Sequence, residues 1–343
     1  MLNVNSRAKE SGYRFTKMLN NLPDLRIMTR VARLYYEERL IQSEIASRLG
    51  LTQVAVSRLL KKAEEHGIVR TTVVTPPGAF AELEEMLEQR FGLSQVIIGE
   101  ATTDSEEAVL TGIGSAAAQF LETIVKSKEV IGISSWSASL LSTVAQMHPV
   151  RKVEDCLVVQ MLGGIGSPSA EQHANHLAVR LSRLVHGDAR FLPVPGIVGS
   201  TNAAKILLKD PNVNNTVTLF GKVTLALVGV GALEPSTLVA SSGNIFSEEE
   251  LKSVKKQGGV GDICLRFYDA KGQPVRTALD DRVIGMTLDG LRRVQRSIAI
   301  CGGKRKFAAI LGAVRGKLIN TLVTDQYTAE RLAKAQPGKA VAA

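Results

Sequence analysis

The stretch from Gln42 to Lys61, QSEIASRLGLTQVAVSRLLK, constrains the fold more than any other part of the chain. Its apolar residues recur at helical spacing in two short groups, which are Ile45, Ala46 and Leu49, then Val56, Leu59 and Leu60. Between the groups, Gly50 can adopt the positive φ of a tight turn, and Thr52 can cap a second helix. This is the helix-turn-helix pattern, in which the second helix enters the major groove of DNA.

The outward side of the second predicted helix carries side chains that suit DNA. Arg58 is suited to guanine and Gln53 to adenine, whereas Thr52 and Lys61 are suited to phosphate. We predict that six residues contact DNA, namely Thr52, Gln53, Val54, Ser57, Arg58 and Lys61. The alternative is an ordinary helical hairpin with a solvated basic face. The common register of the glycine, the cap and the apolar positions disfavours that alternative.

Composition narrows the class of protein. Hydrophobic residues make up 45% of the 343 residues, which allows a sizeable core, and the length suits about two domains. The net charge of +9 favours an anionic partner, although it also serves simple solubility. No segment resembles a membrane span or a secretory signal, and the three cysteines, Cys156, Cys264 and Cys301, lie far apart. We therefore expect a cytoplasmic protein with reduced thiols.

Composition shifts divide the chain into five segments. A helix over 25–40 and a strand over 68–74 complete a winged unit around the helix-turn-helix, and the sequence TPPG at 75–78 reads as a linker. A helix over 79–91 has an apolar side that could pair with its copy in another subunit. The predicted segments are a disordered arm (1–24), a helix-turn-helix domain (25–75), a linker and oligomerisation helix (76–91), an effector domain (92–335) and a frayed tail (336–343).

The large domain reads as an α/β fold with a parallel sheet. Short apolar runs alternate with helical patterns, and near-continuous hydrophobicity means that both faces of each strand are covered. The predicted strands are 95–98, 130–133, 157–160, 225–228, 298–300 and 319–323. A turn over 269–272 between two further strands predicts one antiparallel excursion.

Polar residues follow several of these strands, where open α/β sheets bind their ligands. Hydroxyls at a helix N-terminus suit a phosphate or a polyol, and glycines allow the backbone to approach a ligand closely. The predicted effector-binding residues are Ser134, Ser135, Trp136, Ser139, Gly164, Asn175, Gly231, Asp262 and Lys306. For most of them a structural role is equally open: Trp136 could plug the edge of the core, and Asp262 could cap a strand.

Several enzyme motifs are absent from the sequence. It contains no P-loop, no dinucleotide fingerprint after a strand and no G-x-S-x-G elbow, so we expect neither an enzyme nor a cofactor. His173 and His176 have no third ligand at metal spacing, so we expect no metal. The rival hypothesis is a sugar-phosphate isomerase or deaminase with a DNA-binding head, in which Asp262 and Lys306 supply acid–base or Schiff-base chemistry.

Several motifs together resemble the SorC/DeoR group of bacterial sugar-responsive transcriptional regulators. They are VSRLL (56–60), GIV (67–69), GGVGDI (258–263), CGGKRKFAAI (301–310) and LINTLVTD (318–325). The resemblance covers residues 25–332, and polyol-catabolism regulators are its nearest part. It implies a Rossmann-like effector domain related to ribose-5-phosphate isomerase and glucosamine-6-phosphate deaminase. It also implies a dimer or tetramer, and effector-binding roles for Ser134, Ser135, Ser139, Gly164, Asn175, Asp262 and Lys306.

One loop departs from the family pattern, which often reads W-G-x-T. Here it reads Trp136-Ser137-Ala138-Ser139, and the missing glycine makes it harder for successive N–H groups to curl around a phosphate. We therefore expect a repressor or activator of a carbohydrate or polyol operon, with double-stranded operator DNA as one partner. A sugar, a polyol or its phosphate is the other, with a slight preference for a neutral ligand.

Overall fold

The computed structural model describes residues 22–69, 80–164, 168–233 and 247–336, with side chains from Asp24 onward and without those of residues 168–174. These residues fall into two compact units, one before and one after the boundary between Pro76 and Pro77. Residues 22–24, which were predicted to belong to a disordered arm, lie in the first helix. The remainder of that arm and the tail from 337 lie outside the described residues.

The first unit contains three helices, α1 (Leu22–Tyr36), α2 (Gln42–Leu49) and α3 (Gln53–Glu65). Gly50 joins α2 to α3 with a φ of 65°, and the Thr52 hydroxyl caps α3 by accepting a hydrogen bond from the N–H of Ala55 (3.2 Å). One core joins the helices through Val31, Leu34, Ile45, Ala46, Val56 and Leu60. The predicted first helix is shifted toward the N-terminus, because the chain turns at Arg39, whose φ is 59°.

The predicted strand over 68–74 is described only at its first two residues. The N–H groups of Ile68 and Val69 both donate to the carbonyl of Ala63, at 2.8 and 3.1 Å. These two residues therefore close the end of α3 and do not begin a strand. The rest of the predicted wing and the TPPG linker lie outside the described residues.

A seven-stranded parallel sheet forms the centre of the second unit. Its strands are β1 (Gln95–Gly99), β2 (Val130–Ile133), β3 (Cys156–Gln160), β4 (Gly187–Arg190), β5 (Leu225–Val228), β9 (Arg296–Ile300) and β10 (Thr321–Asp325). Their order is β1-β10-β9-β5-β2-β3-β4, and every neighbouring pair is parallel. The six predicted strands are all present. The sequence analysis missed β4, because GDAR carries no apolar run; β4 is an edge strand, where polar residues are tolerated.

Helices cover both faces of this sheet, as the continuous apolar strands predict. The helices described in this unit are α4 (Ala81–Phe91), α5 (Glu106–Ile124), α6 (Ala138–Gln146), α7 (Pro168–Leu184), α8 (Thr201–Leu207), α9 (Pro211–Thr218), α10 (Glu248–Lys256), α11 (Leu288–Arg292), α12 (Phe307–Arg315) and α13 (Gln326–Lys334). Along β5, Leu225 and Leu227 enter one core while Ala226 and Val228 enter the other. Among the described residues, no helix has the length and apolar character needed to cross a bilayer.

The predicted antiparallel excursion is a three-stranded sheet of β6 (Gly231–Ala232), β7 (Gly259–Ile263) and β8 (Arg266–Asp269). The β7–β8 hairpin turns at Cys264 and Leu265, whose φ values are 51° and 60°. The predicted turn after Asp269 is also present, because the Asp269 carboxylate accepts the N–H groups of Lys271 and Gln273. After that turn the chain pairs back on β8, with Pro274 opposite Tyr268 in an antiparallel bridge, so the predicted turn is confirmed; the β7–β8 connection was not predicted.

Helix α4 begins two residues later than predicted and packs within its own unit. Leu87 and Phe91 are buried in one of the two sheet cores, and α4 contacts both β1 and α13. On the outer side, Met86 is 48% exposed. The predicted pairing with a second copy would therefore have to use the side around Met86, and it stays a prediction.

Tyr268 attaches β8 to α12, which begins directly after Lys306. Its ring is fully buried, and its hydroxyl donates to the carbonyl of Ala309 at 3.0 Å. We expect Tyr268→Phe to lower the free energy of unfolding by about 1 kcal/mol, because one buried hydrogen bond is lost without a change of shape. Urea unfolding of the full chain measures this change. Tyr327→Phe, at a half-buried tyrosine, is the control; an equal loss in both variants would contradict the role given to the Tyr268 hydroxyl.

Candidate functional site

A cavity of about 270 Å³ lies at the carboxyl ends of β2, β5 and β9, which are neighbours in the sheet. Three loops line it, 134–138 after β2, 229–233 after β5 and 302–306 after β9. Strand β7 adds Asp262, and the start of α5 adds Glu106. This is the position at which open α/β sheets bind ligands, because the loops that follow adjacent parallel strands converge there.

The loop after β2 is tied down by its own side chains. The Ser134 hydroxyl accepts the N–H of Gly229 (3.2 Å), which joins the loops after β2 and β5. The Trp136 indole N–H donates to the carbonyl of Gly163 (3.3 Å), and Ser137 caps α6 by accepting the N–H of Leu140 (3.3 Å). Trp136 is buried yet still lines the cavity, so part of its ring is available to a ligand's apolar side.

Asp262 is the acidic group that β7 brings to the cavity. Its residue pairs with Gly231 across the sheet, and a Cβ at Gly231 would collide with the Asp262 carboxylate. The carboxylate accepts the N–H of Leu265 at 3.0 Å. Burial raises the pKa of Asp262 to about 6, while that hydrogen bond and the charge of Lys306 act in the opposite direction.

Lys306 is a basic group that lines the cavity, and it lies at the end of the 3₁₀ turn Lys304–Lys306. Burial lowers its pKa. In the described part of the chain, no carboxylate lies within ion-pair distance of its ammonium, and no hydrogen bond to it is found. The ammonium can therefore donate to a ligand, and the Asp262 carboxylate can accept from ligand hydroxyls.

Charged residues form the rim of the cavity. Arg305 pairs with Glu106 at 3.2 Å, and Arg331 pairs with Asp104. The first pair holds the start of α5 against the loop after β9, and the second holds the segment just before α5 against α13. In contrast, the thiol of Cys264 in the cavity stays protonated and is a poor nucleophile, because burial raises its pKa to about 12.

The structure gathers five of the nine predicted effector-binding residues around this cavity: Ser134, Trp136, Gly231, Asp262 and Lys306. The rim residues Asp104 and Glu106 were missed by the sequence analysis. They follow β1, which is one of the predicted strands, so the same strand-end argument applied there would have found them.

The other four predicted residues do not line the cavity. The Ser135 hydroxyl donates to the carbonyl of Leu162 (3.1 Å), and the Asn175 side-chain oxygen accepts from Gln160 (3.1 Å). Gly164 is buried beside Pro195. Ser139 is buried in α6, and its hydroxyl has no partner among the described residues. A direct contact between these four residues and a ligand therefore stays a prediction.

A second exposed feature lies in the first unit, on α3. The predicted DNA-contacting residues are all solvent-exposed there: Thr52, Gln53, Val54, Ser57, Arg58 and Lys61. Val54 is 64% exposed. The apolar residues of α3 face the opposite way, into the three-helix core.

The raised pKa of Asp262 predicts a pH dependence of stability. The folded protein holds this proton more tightly than the unfolded chain, so folding loses stability as the pH rises from about 4 through about 6. We expect Asp262→Asn to remove this loss, which is at most about 3 kcal/mol. Urea midpoints measured between pH 4 and pH 7 test it. The exposed Asp281 gives the control Asp281→Asn; a profile for Asp262→Asn parallel to wild type would refute the assignment.

Comparisons with known proteins agree with this architecture. Residues 76–334 match the Sugar-bind family, described as a "Putative sugar-binding domain". The deoxyribonucleoside regulator of Bacillus subtilis (strain 168) is 33% identical over 301 residues, which cover 88% of this chain and 95% of that protein. The sorbitol operon regulator of Klebsiella pneumoniae is 28% identical over 318 residues, covering 92% of this chain and all of that one.

Solved structures give the same result. The crystal structure of the full-length sorbitol operon regulator SorC from Klebsiella pneumoniae superposes with a TM-score of 0.75 at 28% identity, covering 90% of this chain and 99% of that one. A DeoR family transcriptional regulator from Listeria monocytogenes has a TM-score of 0.67 at 25% identity, covering 74% of this chain and all of that one. These relatives are regulators and not enzymes, which decides against the isomerase or deaminase hypothesis. The chain therefore belongs to the family of transcriptional regulators that carry this sugar-binding domain.

Proposed function

We propose that the chain is a DNA-binding transcriptional regulator of a carbohydrate or polyol catabolic operon, with an effector bound in the cavity of its large unit. The relatives support regulation, since their names are those of sorbitol operon and deoxyribonucleoside regulators. The observation that carries the DNA-binding part is the exposed polar face of α3, opposite its apolar core face.

We propose that α2 and α3 form a helix-turn-helix with α3 as the recognition helix. The left-handed Gly50 between the helices and the Thr52 cap at the start of α3 support this reading. Arg58 and Gln53 would read guanine and adenine, and Val54 would contact a thymine methyl group. Thr52 and Lys61 would contact phosphates and position the helix.

For the effector, we propose a monosaccharide-sized ligand with several hydroxyl groups, with or without a phosphate. The support is that an acceptor and a donor, Asp262 and Lys306, line the same cavity together with Trp136. Ser134 and Gly231 complete the wall. A small volume with few fixed polar groups and an apolar wall is typical of ligand sites.

The remaining parts of the proposal concern assembly and fold. A regulator whose operator is two-fold requires at least two heads, so we propose a homodimer or homotetramer that works in the cytoplasm, where the operator DNA is. The parallel sheet with its cavity at the strand ends supports the proposed resemblance of the large unit to ribose-5-phosphate isomerase and glucosamine-6-phosphate deaminase.

Replacing one base-reading arginine tests the DNA-binding proposal. We expect Arg58→Ala to cost about 1–3 kcal/mol of operator affinity and to relax base preference at one position. The operator is first selected from genomic fragments, and affinity and preference are then measured by gel shift and footprinting. Arg30→Ala, at an exposed arginine of α1, is the charge-matched control. Operator affinity and base preference in Arg58→Ala equal to those of the control would contradict the proposal.

Replacing the free ammonium tests the effector site. A thermal-shift screen of sugars, polyols and their phosphates first finds a ligand, because a ligand that binds only the folded state raises the melting temperature. We expect Lys306→Met to lower the affinity for that ligand by about 10- to 100-fold, because a charged hydrogen bond is lost. Operator affinity should stay unchanged. The exposed Lys317 gives the control Lys317→Met. A wild-type ligand response in Lys306→Met would place the effector elsewhere.

A further inference from the structure

Helix α4 covers the edge of the large sheet with carboxylates. Glu84 and Glu88 lie one turn apart on the helix and accept the N–H groups of Ile98 and Val96, both at 2.8 Å. Strand β1 is an edge strand, so the sheet supplies no partner for these two N–H groups. The two glutamates act in place of an eighth strand, and α4 is the first described element of the large unit after the linker region.

The edge of β1 that faces away from α4 is connected to the cavity through hydrogen-bonded neighbours. Strand β1 pairs with β10, in a register that sets Gly99 opposite Asp325 at the end of β10. Asp325 is fully buried and accepts the N–H of Gly303 (3.0 Å) and the N–H of Thr328 (2.9 Å). Gly303 lines the cavity, and a Cβ on the adjoining Gly302 would collide with the Asp325 carboxylate. The loop after β9 therefore cannot move without disturbing Asp325.

A second set of contacts joins the same elements. Gln326, directly after Asp325, exchanges two hydrogen bonds with the backbone of Ala101 just beyond β1 (2.7 and 2.6 Å). Helix α13 packs against α4, and Arg90 near the end of α4 donates to the carbonyl of Ala335 just after α13. Thus α4 rests on both β1 and the helix that Asp325 caps.

Two of the contacts that attach α4 to the sheet are made by carboxylates. Two carboxylates one turn apart repel each other, and burial, with the charge of Glu88 adding to it, raises the pKa of Glu84. The N–H of Ile98 opposes this and favours the carboxylate. These hydrogen bonds depend on distance and direction, whereas the apolar packing of Leu87 and Phe91 has no comparable directional requirement.

We propose that occupancy of the cavity is transmitted to α4 through Asp325 and the β10–β1 pair, with Glu84 and Glu88 as the positioning residues that read it out. This rests on the proposed function, in which the cavity holds an effector. A ligand that contacts the 302–306 loop binds the two arrangements of Asp325 unequally, and this difference is what shifts α4. The hydrogen bonds from Ile98 and Val96 to α4 differ between the two states.

The first test needs no ligand, because coupling between two sites is reciprocal. Hydrogen exchange of the full chain is measured in Glu84→Met and in the control Glu82→Met, which removes the same charge from an exposed position on the same helix. We expect the Gly303 amide to exchange at least about fivefold faster in Glu84→Met and at the wild-type rate in the control. Equal rates at Gly303 in the two variants would overturn the proposal.

The second test uses sorbitol and sorbitol 6-phosphate as probes, with ligand affinity and operator affinity measured separately. We expect Glu84→Met to bind a probe within about twofold of wild type but to lose at least about fivefold of the probe's effect on operator affinity. Glu84→Gln keeps an acceptor oxygen, so we expect the probe to change its operator affinity as in wild type. We expect the same of the control Glu82→Met. A wild-type operator response in Glu84→Met would overturn the proposal.

The two tests separate this inference from the proposed function. If neither probe binds the wild-type protein, sorbitol and its phosphate are excluded as effectors, and exchange at Gly303 still decides whether α4 and the cavity loop are coupled. The other outcome is that a probe binds and shifts operator affinity while Glu84→Met leaves the exchange rate of the Gly303 amide unchanged. That result would support the proposed regulatory function and would exclude the route through α4.

Discussion

Burial of the parallel sheet on both faces is the constraint on which the rest of the structure depends. Strands β2 and β5 contain apolar residues and glycine only, and successive residues of β5 enter two separate cores. A charge placed along such a strand would lose its hydration without compensation. The cavity therefore lies beyond these apolar strands, where three neighbouring strands end together, and the smaller sheet adds Asp262 to it.

At those ends, most polar groups are already committed to the protein itself. Asp325 accepts the N–H of Gly303, Ser134 accepts that of Gly229, and Asp262 accepts that of Leu265. These bonds order the loops in the absence of a ligand, which reduces the entropy that binding must overcome. Among the described residues, the ammonium of Lys306 and the carboxyl of Asp262 are two groups that can still bind a ligand.

At the edge of the same sheet, backbone N–H groups obtain their acceptors from side chains. The outward N–H groups of β1 need acceptors, and the sequence supplies them from the side chains of α4 and not from another strand. A side-chain carboxylate makes fewer simultaneous contacts than a strand does, so the helix is held by a few directional bonds together with Leu87 and Phe91. The same two hydrogen bonds thus cover the exposed edge of the sheet and attach the helix that follows the linker region in the chain.

Local patterns in the sequence determined the elements of this protein. The turn glycine, the Thr52 cap and the helical spacing predicted α2 and α3, and continuous apolar runs predicted six of the seven strands of the parallel sheet. The polar sequence of β4 gave no such signal, because an edge strand does not need to be apolar. Only the tertiary structure decided the strand order, which brings β9, β5 and β2 together and selects five of the nine predicted effector residues. The reason is physical: hydrophobic periodicity records which face of a segment is buried, whereas strand order depends on contacts between segments far apart in the chain.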